Sequence, residues 1–218
     1  MKLSFIINKK INKIIEAASK KLGTSKRNII AIALTEILNQ PIDAAAIEEM
    51  KENITLDYPT SITINSRMNK RINEINKFGL SKRLFVGYLV SDYFYKNYTK
   101  FITNEELKAI QISPPDNSKS VIQVYTDKKI KTKLLDYCNE HSVSLSALVS
   151  HYLMNEEIEF FPYQVDEKVL INLSLGNDVK SIIEKNAEKI GTTVLFYLNI
   201  VLFQIYNDLR KDGLIKTV

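Results

Sequence analysis

Two short stretches of the 218-residue chain set a hydroxyl and a cationic pair directly ahead of an apolar run: Ser25-Lys26-Arg27 after Gly23, and Ser81-Lys82-Arg83 after Gly79. The first turn of a helix leaves backbone N–H groups unpaired and carries the positive end of the helix dipole. A serine cap followed by two cations is therefore suited to holding an anion such as a phosphate. A second set of residues offers hydrogen-bonding chemistry from one face of short alternating stretches. By the two-residue period of a strand, Lys2, Ser4 and Ile6 point away from Leu3, Phe5 and Ile7, and Ser61 and Thr63 share one face of TSITIN. Lys2 offers an ammonium donor, the three hydroxyls can donate or accept, and Ile6 adds an apolar group. In two further stretches, SVIQVY and KVLINLSL, the outward residues are Val121, Gln123 and Tyr125, and Lys168, Leu170 and Asn172. The carboxamides of Gln123 and Asn172 can each donate and accept, whereas Val121 and Leu170 offer no polar group. That second surface either reads something more apolar or serves as a scaffold.

Catalytic chemistry finds little to stand on. His141 and His151 are ten residues apart with no companion Cys/His cluster, so helix packing or a solvated position explains them better than a metal. The six glycines are scattered and form no phosphate loop. Tyr88, Tyr93, Tyr95 and Tyr98 have no histidine or metal context for nucleophilic attack, and aromatic packing accounts for them. Cys138, alone in the chain, reads as a small helix-borne hydrophobe. No enzyme activity, metal or cofactor is expected.

The elements that must position these residues recur four times: an alternating strand, an amphipathic helix of about four turns, a Gly or Ser turn, and a more apolar helix. In the first copy Asn8 caps a helix whose stripe is Ile11, Ile14, Ile15, Ala18 and Leu22. Gly23 ends it, and Ser25 caps the next, with Ile29, Ile30, Ala33, Leu34 and Ile37. The second copy has Met68, Ile72, Ile75 and Phe78, then Phe85, Leu89 and Tyr93. The third has Ile130, Leu134 and Tyr137, the turn Ser142-Val143-Ser144, and Leu148 to Leu153. The fourth has Val179, Ile182, Ile183, Ala187 and Ile190, the turn Gly191-Thr192-Thr193, and a helix from Val194 to about Leu209. The third turn lacks glycine, and neither of the last two keeps the basic pair. The VLFYLNIVLFQIY run is apolar nearly all round and implies burial on more than one face. All five prolines (Pro41, Pro59, Pro114, Pro115, Pro162) fall between the segments that read as regular structure. Residues 41–59 predict a short acidic helix, and Thr103-Asn104-Glu105-Glu106 a helix start.

Hydrophobic content of 45% with 25% charged residues suits a folded protein with a core rather than a disordered chain. The net charge of +5 conceals a gradient: the first two copies carry +6 and +5, the last two +2 each, and the connectors are acidic. A single cysteine allows no internal disulfide and fits a reducing, cytoplasmic setting. MKLSFIINKKINK has no long apolar core of a leader, and the longest apolar stretch, Val194 to Tyr206, is too short for a membrane span, so no membrane association is expected.

A strand followed by two helices joined through Gly-x-Ser-Lys resembles the ribbon-helix-helix superfamily of Arc, MetJ and CopG-like DNA-binding proteins. The likeness is closest at LSFIINKKINKIIEAASKKLGTSKRNIIAIALTEI. Some relaxosome accessory proteins of conjugative plasmids resemble a tandem form of it. The resemblance implies a mainly α fold with short β-ribbons, in which two units pair their strands as an antiparallel ribbon for the major groove and share a helical core. Four units make two pseudo-dimers most simply as residues 1–98 (units 1–40 and 60–98, linked by the helix in 41–59) and 119–218 (units 119–154 and 168–218), with 99–118 between them. Pairing within one chain or between chains stays open.

These readings converge on a sequence-specific double-stranded DNA-binding protein, either a transcriptional repressor or a plasmid-type replication, partition or transfer factor. Lys2, Ser4, Ile6, Ser61, Thr63, Gln123, Tyr125 and Asn172 are its expected base readers. Ser25, Lys26, Arg27, Ser81, Lys82 and Arg83 are its expected phosphate contacts. The alternative is an assembly module that uses the paired units to oligomerise, with a homo-oligomer or protein partner held through the C-terminal half.

Overall fold

The computed structural model of the chain describes residues 1–103, 105–106, 119–159 and 165–215. Pro114, Pro115 and Pro162, most of the 99–118 connector and the centre of the 155–167 connector lie outside the described residues. The fold is mainly helical with two small antiparallel sheets of two strands each. The N-terminal elements are β1 (Lys2–Ile7), α1 (Lys9–Lys21), α2 (Lys26–Leu38), α3 (Ala44–Asn53), β2 (Tyr58–Thr63), α4 (Ser66–Ile75) and α5 (Lys82–Asn97). The C-terminal elements are β3 (Lys119–Asp127), α6 (Lys128–Glu140), α7 (Leu145–Asn155), β4 (Lys168–Gly176), α8 (Asn177–Lys189) and α9 (Val194–Lys211). Two compact units result, one of Met1–Ser19, Ser25–Pro114 and Glu140–Ser142, the other of Lys20–Thr24, Pro115–Asn139 and Val143–Val218.

In the first unit β1 pairs with β2, setting Lys2 opposite Thr63, Ser4 opposite Ser61 and Ile6 opposite Pro59. Leu3, Phe5, Ile7 and Ile62 are buried on the other face, as the alternation requires. Pro59 therefore lies inside a strand, not between elements. Its position explains the tolerance. Met1 and Ile64 exchange both backbone bonds, at 2.8 and 2.9 Å, so the pairs two residues apart from them are the hydrogen-bonded ones. Ile6–Pro59 falls on the alternate, non-bonded set, where the missing N–H leaves the ladder intact.

A two-stranded ribbon is marginal alone, and here the second helix of one repeat covers the strand of the other. Gly87 of α5 lies against the Ile6 backbone of β1, where a Cβ would stand 1.9 Å from the Ile6 carbonyl oxygen. Buried Ser91, one turn on, accepts the Asn8 N–H at 3.1 Å. In return Arg27, at the start of α2, donates from Nε to the Thr63 carbonyl of β2 at 2.7 Å. The helices between are buried on most sides, with Ile29 to Leu34 of α2 and Phe85, Val86, Leu89, Val90 and Phe94 of α5 all in the core. The acidic connector forms α3 as expected, capped by Asp43 and anchored by Ile47 and Met50. Thr103 and Glu106 exchange backbone-to-side-chain bonds at 2.6 and 3.1 Å, the reciprocal capping of a helix start.

The second unit repeats this exchange. β3 pairs with β4, setting Gln123 opposite Asn172, Val121 opposite Ser174 and Tyr125 opposite Leu170. Asn199 of α9 donates to the Tyr125 carbonyl of β3, and Ser146 of α7 accepts the Ser174 N–H of β4 at 2.9 Å. The α9 helix buries Leu198, Ile200, Val201, Leu202 and Ile205, more than one face, as its composition predicts. The stripe of α8 departs from expectation at one end. Ile190 is 46% exposed because it sits at the C-cap, after the helical period has ended.

All four turns share one backbone conformation. Gly23, Gly79 and Gly191 have φ of 59°, 69° and 68°, and Ser142 takes the same left-handed conformation at 57°. The third copy thus keeps the turn that glycine favours while using a serine. Two residues after each turn a hydroxyl caps the next helix: Ser25, Ser81, Ser144 and Thr193.

Candidate nucleic-acid interface

The first ribbon presents Lys2, Ser4, Ser61 and Thr63 exposed, with Ile6 half-buried and Pro59 exposed beside it. All six stand on one face, and all three cross-strand pairs are non-bonded ones, whose side chains approach more closely. Ser4 and Ser61 occupy equivalent places, each four residues before the asparagine that caps the following helix, Asn8 or Asn65. They meet at the centre of the ribbon. Pro59 was missed as a member of this face because the strand was expected to begin after it.

The helix starts are occupied in unequal ways. Ser25 Oγ accepts from Asn28 N at 3.3 Å and Ser81 Oγ from Leu84 N at 3.4 Å, so each hydroxyl is first a cap. Lys26 pairs with Glu16, and Lys82 donates to Asn69 Oδ1 at 2.9 Å. Arg27 spends Nε on the Thr63 carbonyl. Arg83 alone of the four cations is exposed and makes no bond among the described residues. An ion pair as open as Lys26–Glu16 contributes about 0–1 kcal/mol, so an arriving phosphate can compete for Lys26. The Arg27 bond is instead part of the scaffold that holds the strand.

On the second ribbon Gln123 and Asn172 are both exposed and directly opposed, each again four residues before the cap position, Asp127 or Gly176. Around them Val121 is 66% and Tyr125 58% exposed, with Leu170 beside Tyr125. Ser174 shares this face and was not singled out, although the alternation of KVLINLSL extends to it. At the start of α9, Val194-Leu195 stands where α5 has Lys82-Arg83, and Leu195 and Phe196 are 48% and 43% exposed.

Cys138, His141 and Tyr93 are enclosed, whereas His151 is half-buried and Tyr95 exposed. Burial pushes the Cys138 thiol up to about 12 and holds the buried His141 imidazole below its usual value. Burial and the neighbouring Glu36 carboxylate raise the Tyr93 hydroxyl. Among the described residues no group of three or more His, Cys, Asp or Glu side chains is arranged to hold a metal ion, and no single helix is long and apolar enough to cross a membrane.

No family model, curated protein or solved structure matches the chain.

Proposed function

We propose that the protein binds double-stranded DNA sequence-specifically, with its four repeats paired as two ribbon-helix-helix pseudo-dimers, the first with the second and the third with the fourth. The first ribbon enters the major groove, which is wide enough for a two-stranded ribbon. Lys2, Ser4, Ile6, Ser61 and Thr63 read base edges, and the helix starts at Ser25-Lys26-Arg27 and Ser81-Lys82-Arg83 hold the flanking phosphates. The observation that carries this reading is the in-register exposed face Lys2–Thr63 and Ser4–Ser61 over an opposite face that buries Leu3, Phe5, Ile7 and Ile62. The strongly basic first two repeats supply the sequence-independent attraction. A role as repressor or as a plasmid-type replication, partition or transfer factor follows from such binding. The role is one of binding rather than catalysis, and the lone, enclosed Cys138 supports a cytoplasmic setting. Mixing the full chain with a random-sequence duplex pool at moderate salt tests the reading. Enrichment of a defined sequence supports it, and no retained DNA defeats it.

A second role in assembly is favoured for the C-terminal unit. Val121 on the ribbon and Leu195 on α9 are exposed where the first unit has Lys2 and Arg83, and Tyr125, Leu170 and Phe196 add to the exposed apolar surface. Self-association or capture of a protein partner through this half accounts for them. Sedimentation should show an oligomer that dissociates in a Tyr125→Ser, Leu170→Ser variant; a monomer at every concentration, with no partner retained, would remove this reading.

A further inference from the structure

The two ends of the first ribbon carry unlike chemistry. Each end is formed by a residue six before the helix cap of one repeat and a residue two before the cap of the other. In a symmetric ribbon both ends would therefore be the same pair. Here the six-before residues are Lys2 and Pro59 and the two-before residues are Thr63 and Ile6. One end is an ammonium beside a hydroxyl. The other is two hydrocarbon side chains with no donor or acceptor. Only the central pair, Ser4–Ser61, is alike.

The supporting structure breaks the same symmetry. At the polar end the Thr63 carbonyl accepts from Arg27. The equivalent Ile6 carbonyl at the other end is covered by Gly87, and the equivalent Arg83 is left exposed. The chain therefore differs at its two ends in what reaches the groove and in which cation stays available beside it.

We propose that the first ribbon reads a directional DNA element, one that is not its own inverted complement, so that the chain binds in a single orientation. This rests on the DNA-binding reading above. The Lys2–Thr63 end takes a G·C pair through guanine O6 and N7, and the Ile6–Pro59 end lies on a thymine methyl, the one apolar group of the groove edge. Polar base edges are disfavoured there because nothing on that end replaces their lost water. The four steps from Lys2 to Ile6, at about 3.4 Å each, span roughly 14 Å, or about four base-pair steps.

The experiment uses the full chain and its Lys2→Ala and Ile6→Ser variants, each first checked by thermal unfolding to be folded. Each selects from a random duplex pool, and direction is scored within one element of about five pairs. The wild type should enrich an element with guanine at one end and thymine at the other. Lys2→Ala should relax the guanine end about tenfold and leave the thymine end unchanged, and Ile6→Ser should do the reverse. An element that is its own inverted complement, or one relaxed at both ends by either substitution, overturns the inference while leaving DNA binding intact. Failure to enrich any DNA overturns both.

Discussion

Gly87 in α5 meets the carbonyl of Ile6 in β1 so closely that a Cβ at residue 87 would stand 1.9 Å from the oxygen. With the Ser91–Asn8 bond one turn along, this contact ties the second helix of one repeat to the strand of the other. That tie helps fix the ribbon's register, and the register is what brings Ser4 to Ser61. A glycine in a helix interior is ordinarily unfavourable by about 1 kcal/mol; here close packing offsets it.

Gly87→Ala should destabilise the protein by about 3 kcal/mol, since the obstructing atoms are backbone and the overpacking cannot be relieved by a rotamer change. Gly79→Ala provides the contrast. Its φ of 69° is strained for alanine, yet no atom lies within 4 Å of the added Cβ, so the cost should be about 1 kcal/mol. Urea midpoints of the two variants measure both, and equal costs would remove the packing argument.

Arg83→Ala should leave the unfolding midpoint unchanged while lowering the log–log salt slope of DNA binding by about 0.9, the effect of one lost phosphate contact. Arg27→Ala should also cost about 1 kcal/mol of stability, because the Thr63 carbonyl loses a charged donor. Salt titrations paired with thermal melts separate the two arginines.

Cys138 is 3% exposed, and burial pushes its thiol up to about 12. At pH 8 it should remain a protonated thiol and resist Ellman's reagent in the native protein. One equivalent should react promptly once the protein is unfolded, as absorbance at constant reagent would show.

Burial works against ionisation of Asp127, but the backbone N–H groups of Glu167, Lys129, Asp166 and Ile130 outweigh it and hold the carboxyl below its ordinary value. A lowered folded-state value means that its stabilisation is complete above the unfolded value, near pH 3.9, and is lost as the pH falls through the folded one. Asp127→Ala should therefore cost about 1 kcal/mol at pH 7. The gap from wild type should close progressively in denaturant titrations carried below pH 4.

The strand faces and the helix caps were legible because each depends on a local rule. Two-residue alternation put Leu3, Phe5 and Ile7 inside, and a hydroxyl two residues after a glycine marked the caps Ser25 and Ser81, which Ser144 and Thr193 repeat in the structure. What depends on a distant partner was not legible. Arg27 is 36 residues from Thr63, and nothing in SKRNII announces that the guanidinium will be spent on a carbonyl. Nothing in the residues around Gly87 announces the strand backbone of Ile6 that it meets. Ser142 kept the left-handed turn without the residue that signals it, and Pro59 entered a strand because the pairing parity left its missing N–H unneeded.

The central claim is that the Ser4–Ser61 face reads base edges. Its most direct test is the ratio of affinities for a selected duplex and a shuffled duplex of the same composition, in the wild type and in a Ser4→Ala, Ser61→Ala variant. With base reading, the variant should keep its affinity for shuffled DNA while the ratio falls about tenfold. An unchanged ratio in a folded variant would contradict the account.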